Sequence, residues 1–160
     1  MEKSWKMLSY SMLDTIADAY VPALALFSLL WVSKSVFIQE WKSAVGQVCL
    51  LSYVLVVAYG WMLIDNRFGI WPSYGHDYST HTAVALGLAC FLLCMPKPQW
   101  QLILFSLASY GLLMFYQQYH TVADMVSTSV VVILFLLPGA WAYFKFFSQH
   151  VLNQFDSRQV

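Results

Sequence analysis

Two short polar stretches, Asp77-Tyr78-Ser79-Thr80-His81-Thr82 and Tyr119-His120-Thr121-Val122-Ala123-Asp124, each set a histidine near a carboxylate at the edge of an apolar run. Ionisable groups are costly at the edge of a membrane, so their presence there points to function. His120 and Asp124 are four residues apart, the spacing that puts two side chains on one face of a helix. A carboxylate bonded to one imidazole nitrogen fixes the tautomer and leaves the other nitrogen with its lone pair. On that spacing His120 is expected to attack phosphorus, with Asp124 stabilising the imidazolium that forms. His81 is expected to protonate the leaving alkoxide and then to act as base for the incoming acceptor. Ser79, Thr80 and the backbone N–H groups beginning that segment suit phosphate oxygens, because a helix N-terminus favours an anion.

Other chemistries use the same residues. His76, Asp77, His81, His120 and Asp124 offer nitrogen and oxygen ligands for zinc, provided the loop folds His76 back toward His81. A histidine and an aspartate at a helix end can also form a hydrogen-bonded pair with no catalytic role. Gln117 and Gln118, next to His120, could position a headgroup or a water molecule.

The elements that must hold these residues are apolar. The chain has 160 residues, 60% hydrophobic and 10% charged, against about 25% charged in soluble proteins. So few charges imply an integral membrane protein of one domain, residues 1–160, with the motif-bearing core at about 65–147. The formal net charge is zero and no basic patch suggests a nucleic-acid partner. Cys49, Cys90 and Cys94 lie in apolar runs, which argues for small packing residues over a disulfide framework or a metal site.

A crossing helix needs about 20 mostly apolar residues. Five stretches qualify: Ala19 to Ile38, Ala44 to Ile64, Thr80 to Met95, Trp100 to Tyr116 and Ala123 to Phe147. The third is short, as suits a helix whose first turn lies in a polar pocket. Ser4 to Asp18, with Trp5, Leu8, Met12, Leu13 and Ile16 among polar residues, reads as an amphipathic interfacial helix retained rather than cleaved, with Asp14 and Asp18 facing water. The expected fold is therefore an all-α polytopic bundle of five spans plus that N-terminal helix.

Counting spans puts the long loop Asp65 to Ser79 and the turn Gln117 to Thr121 on one side of the membrane. Lys34, Lys42, Lys97, Lys145 and Arg158 fall opposite, against Lys3, Lys6 and Arg67 on the motif side. That bias places the motif side away from the cytoplasm. Lys34, inside a span, is expected to snorkel, and His150 to be solvated in a polar tail.

Asp77, Ser79, His81, Thr82, His120, Thr121 and Asp124 together resemble the motifs of the type 2 phosphatidic acid phosphatase superfamily. More narrowly they resemble its sphingomyelin-synthase-like branch, which pairs Ser-Gly-His-Thr preceded by Asp with His-Tyr-Thr-x-Asp. The similarity runs from about Arg67 to Val132. It implies a helical membrane enzyme acting on lipid phosphate esters through a phosphohistidine, with His120 as nucleophile, Asp124 as its partner and His81 as general acid. Asp77, Ser79, Thr80 and Arg67 would contact substrate, and neither a metal nor another cofactor is implied.

The chain departs from the phosphatase pattern in its basic residues. That branch carries a Lys and an Arg-Pro before its Ser-Gly-His motif and a further Arg before the last His. Here Arg67 is the one basic residue of the first region, followed by Phe68 with proline delayed to Pro72. Met114 stands where the last Arg is expected, and Thr80 replaces the glycine. Losing two of three cationic clamps weakens transition-state stabilisation by several kcal/mol, on the order of one lost oxyanion donor each. Asp65 and Asp77 add negative charge. A singly charged diester passed between lipids fits better than a phosphate monoester, and a non-catalytic lipid- or protein-binding member of the fold is the alternative.

Overall fold

The computed structural model describes the backbone of residues 2–96 and 98–148, with side chains from 10 to 147 except 97. Trp5, Leu8, Lys3, Lys6, Lys97, His150 and Arg158, which entered the sequence argument, lie outside those side chains. The described residues form five α-helices and no strand: α1 Glu2–Phe37, α2 Trp41–Phe68, α3 Thr80–Leu93, α4 Trp100–Tyr116 and α5 Val122–Tyr143. A single 3-10 turn, Pro72–Tyr74, interrupts the long loop, and α5 continues as a π-helical turn over Phe144–Ser148.

Three helices are long and apolar enough to cross a membrane by length and composition: α1 from Tyr10, α2, and α5 through Phe147. At 1.5 Å per residue, α3 with 14 residues and α4 with 17 measure about 21 and 26 Å, short of a hydrocarbon core of about 30 Å. Large apolar side chains cover the outside of the bundle, among them Phe27, Leu63, Phe105 and Leu134, each more than half exposed. Such a surface is a liability in water and a match for lipid. The chain is an integral membrane protein.

The separate interfacial helix expected over Ser4–Asp18 does not exist as an element. Residues 2–37 form one continuous helix through Pro22. Proline removes one backbone hydrogen bond, and Pro22 is exposed on the outer face, where its ring meets no neighbouring helix. Asp65, placed by the sequence in the long loop, lies in the last turn of α2, which runs on to Phe68. Gly69 ends that helix in the left-handed region at φ 62°, its N–H donating to the Asp65 carbonyl, a conformation glycine adopts at no steric cost.

α3 is the central element and packs on α1, α2, α4 and α5. Its interior is small: Ala83, Ala85, Gly87 and Ala89 are buried, and small residues let helix backbones approach closely in a membrane. Near Pro138 in α5, the Tyr53 hydroxyl of α2 donates to the Phe135 carbonyl at 2.5 Å, tying the two helices together. Lys34 is exposed in the last turn of α1, its ammonium 5.4 Å from the Trp31 ring centroid. Cys49, Cys90 and Cys94 are free thiols.

A Cβ on Gly87 would lie 2.5 Å from Cγ1 of the fully buried Val54, whereas one on Gly60 would meet nothing within 4 Å. Gly87→Ala is therefore expected to lower stability by about 1–3 kcal/mol through overpacking, and Gly60→Ala to leave it unchanged or slightly higher. Thermal unfolding in detergent micelles compares the two, and equal midpoints would contradict the close approach of α2 and α3.

Candidate functional site

Both motif segments meet at one end of the bundle, and each is fixed there by its own hydrogen bonds. Thr121 caps α5: its hydroxyl accepts from the Asp124 N–H at 3.2 Å, while Asp124 Oδ2 accepts the Thr121 N–H at 2.8 Å. This reciprocal capping box satisfies two donors that a helix start leaves open. Ser79 caps α3 in the same way, accepting from the Thr82 N–H at 3.3 Å and donating to Thr82 Oγ1 at 2.8 Å.

The loop between α2 and α3 is anchored by two buried aromatics. The Trp71 indole N–H donates to Ser127 Oγ on α5 at 2.9 Å, and its backbone N–H to Asp65 Oδ1 at 2.8 Å. The Tyr78 hydroxyl donates to the Ala58 carbonyl on α2 at 2.8 Å, and the two rings meet edge to face at 5.0 Å. Burial pushes the Tyr78 phenol up, and the Asp65 charge adds to that. Both hydroxyl and indole thus serve as neutral donors. Between these anchors lie His76 and Asp77, with Gly75 turning the chain at φ 74°.

Asp124 joins the two segments. Its carboxylate is 5% exposed. Oδ1 accepts the Asp77 N–H at 3.0 Å and lies 3.4 Å from His76 Nδ1. The helical pairing of His120 with Asp124 expected from their spacing does not form. His120 sits two residues before α5 begins, outside the helix, so a one-face argument does not apply. Asp124 acts on His120 through space instead. Burial lowers the basicity of His120, the Asp124 charge opposes this, His81 adds to the lowering and Asp77 again opposes it. The net direction is down, so His120 is neutral at pH 7 with a lone pair available. His120 thus feels the charges of Asp124, His81 and Asp77 across space.

The remaining residues divide. His81 is exposed on the first turn of α3 and makes no hydrogen bond among the described residues. Thr80 beside it is half-buried. Ser79, expected to hold a phosphate oxygen, is fully buried, and its hydroxyl is engaged in capping while its N–H donates to Thr128 Oγ1 at 3.1 Å. Its role is structural because a cap satisfied on both sides has no donor left for an anion. Arg67 is exposed at the end of α2 and forms no ion pair with the described residues. Among the described residues no three His, Cys, Asp or Glu side chains gather to hold one metal ion, so the zinc alternative lacks its ligand set.

Two contacts here had no signal in the motif spacing. Asp14, expected to face water, accepts a hydrogen bond from the Tyr119 hydroxyl. That bond, with further help from acidic neighbours, pushes the Tyr119 phenol up to about 12. The Tyr10 hydroxyl donates to the Gln117 carbonyl at 3.1 Å, so α1 grips the His120 turn at two points. The Gln117 side chain is buried with neither amide atom paired, which leaves Gln118 as the exposed glutamine of the turn. The His76 contact had one available clue: Thr121-x-x-Asp124 matches a capping box, which predicts a helix start after His120.

Below the motifs, between α3, α4 and α5, lies an apolar groove of about 280 Å³. Thr82 and Met125 line its upper end, each one residue beyond His81 and Asp124, and Leu86, Leu107, Val130 and Ile133 line its length.

Gln118 stands at φ 58°, in the left-handed region, two residues before His120. That conformation costs an L-residue about 1–2 kcal/mol. Gln118→Gly is expected to raise the thermal midpoint in micelles and Gln118→Val to lower it below wild type; the reverse order would contradict the turn. Compared with family models, curated protein sequences and solved structures, the chain matches none, so function is argued from this geometry.

Proposed function

We propose that the protein is a membrane-embedded lipid phosphatase or phosphotransferase that acts on lipid phosphate esters through a phosphohistidine on His120. In this reading all five helices cross the membrane, and the end carrying the histidines faces away from the cytoplasm. The observation that carries it is the docking of the first motif segment on α5, Asp77 N–H on Asp124 and Ser79 N–H on Thr128, at the end of the bundle where half-buried His120 precedes α5 and an apolar groove begins at Thr82 and Met125. A lipid lying in that groove would bring its phosphate to the histidines and leave its acyl chains among Leu86, Leu107 and Ile133. Substrate reaches the site laterally, from the outer leaflet between the third and fifth helices.

His120 attacks phosphorus with its free lone pair, and the charges of Asp124 and Asp77 favour the cation that results. His81, exposed and on the substrate side of α3, gives a proton to the leaving alkoxide. The backbone N–H groups of Thr80 and His81 open α3 without intrahelical partners and are the anion donors of the site. Arg67 alone cannot match a doubly charged phosphate, so the substrate is a singly charged diester whose phosphoryl headgroup moves to another alcohol or to water.

The exposed Arg67, which forms no ion pair with the described residues, also supports a second reading, a non-catalytic member of the fold that binds lipid. Incubating the purified protein with a panel of phospholipids, while assaying both free phosphate and headgroup exchange, separates the two. Binding that is indifferent to His81 and His120, with no lipid converted, establishes the second.

For the catalytic reading, His120→Ala is expected to abolish turnover and the acid-labile phosphoenzyme together; unchanged turnover would refute it. A histidine whose basicity is lowered on folding stays neutral until the pH falls below its ordinary value of about 6.5. The acid limb of kcat/KM is therefore expected to inflect below pH 6.5. An inflection above that value would exclude His120 as the buried neutral nucleophile.

A further inference from the structure

His76 lies outside both motifs, yet it is the histidine in contact with the buried carboxylate. Its Nδ1 is 3.4 Å from Asp124 Oδ1, and its side chain is 40% exposed while that of Asp124 is 7% exposed. The position is imposed from both sides. The His76 N–H donates to the Trp71 carbonyl at 3.1 Å, and the next N–H, that of Asp77, donates to the same Oδ1 at 3.0 Å. Asp124 is held in turn by the Thr121 N–H on its other oxygen. The contact is an ion-pair distance, and a proton on Nδ1 would face the carboxylate and leave the Nε2 lone pair free. Among the described residues His81 has no such partner.

We propose that His76 is a further catalytic residue: with Asp124 it forms the base that activates the acceptor hydroxyl in the second half of the reaction. The inference rests on the phosphohistidine reading above and divides between two histidines the work first expected of His81 alone. In the first half, His120 forms a P–N bond, the P–O bond to the leaving alkoxide breaks, and His81 supplies the proton that the alkoxide takes up. In the second half, the acceptor oxygen attacks phosphorus and its proton passes to His76 Nε2. The P–N bond breaks and its electron pair returns to His120. His76 then passes that proton to water, from which His81 regains one. Both histidines are open enough to solvent for that exchange.

The test is a single-turnover measurement on the full-length protein in vesicles carrying radiophosphorus-labelled phosphatidylethanolamine, with labelled phosphatidic acid in a parallel arm. His76→Ala is expected to form the acid-labile phosphoenzyme at a rate close to wild type and to break it down about 10² to 10⁴ times more slowly, so that the intermediate accumulates. Added imidazole is expected to restore breakdown in His76→Ala, which loss of a merely structural contact would not allow. His81→Ala is expected to slow formation instead. Breakdown at the wild-type rate in His76→Ala, or slow breakdown that imidazole does not rescue, would overturn the assignment of His76 and leave the phosphohistidine reading standing. Absence of any phosphoenzyme in the wild type, with both lipids, would overturn that reading and this inference with it.

Discussion

The motif end of the bundle depends on one buried carboxylate. Asp124 accepts N–H groups from Thr121 and Asp77 and faces the His76 imidazole. Placing an ionised carboxylate in an apolar bundle costs several kcal/mol unless its oxygens are satisfied, and here each oxygen has a backbone donor. One donor, Asp77, lies 47 residues from Asp124 in sequence. The cap of α5, the path of the loop before α3 and the orientation of one histidine are therefore a single arrangement. Removing the carboxylate would release all three.

Much of the framework is legible in the sequence because bilayer thickness and hydropathy set helix number and direction. α4 begins and ends where its apolar run does, and alternation of the helices brings the two motifs to one end. The failures are local. Ser4 to Asp18 reads as a separate interfacial helix because polar residues punctuate it, but nothing between Asp18 and Ala19 stops the helix, which runs on through Pro22. The partner of Asp124 was misplaced because the i, i+4 argument assumes both residues are helical, while His120 precedes the Thr121 cap. Asp14 and His76 could not be located from spacing at all. Their positions follow from the continuity of α1 and from the Trp71 and Tyr78 anchors, which are tertiary facts.

The motif end is acidic, but its carboxylates are mostly engaged in structure. Asp65 holds the Trp71 N–H, Asp14 the Tyr119 hydroxyl, and Asp124 the contacts already described. Asp77 and Asp18 are exposed, Asp77 with its backbone N–H bonded to Asp124. Hydrogen bonds spread the charge of the other three without a cation. With Arg67 directed to solvent, the positive charge that a bound phosphate would meet comes from imidazolium and from the open N–H groups of α3. Those are modest partners compared with a guanidinium fork, which is why the proposed substrate carries one negative charge.

The shortness of α3 connects the fold to this site. A helix of 14 residues reaches about 21 Å and cannot cross the hydrocarbon core of about 30 Å unaided. The chain on its N-terminal side is non-helical, and backbone polar groups near a membrane are tolerated only where protein satisfies them. α5 supplies that satisfaction: Asp124 takes the Asp77 N–H and Thr128 takes the Ser79 N–H. The alternate residues 77 and 79 thus dock on one helix. The bonds that satisfy this extended segment are the ones that dock it on α5, bringing His76 to Asp124 and starting α3 at Thr80.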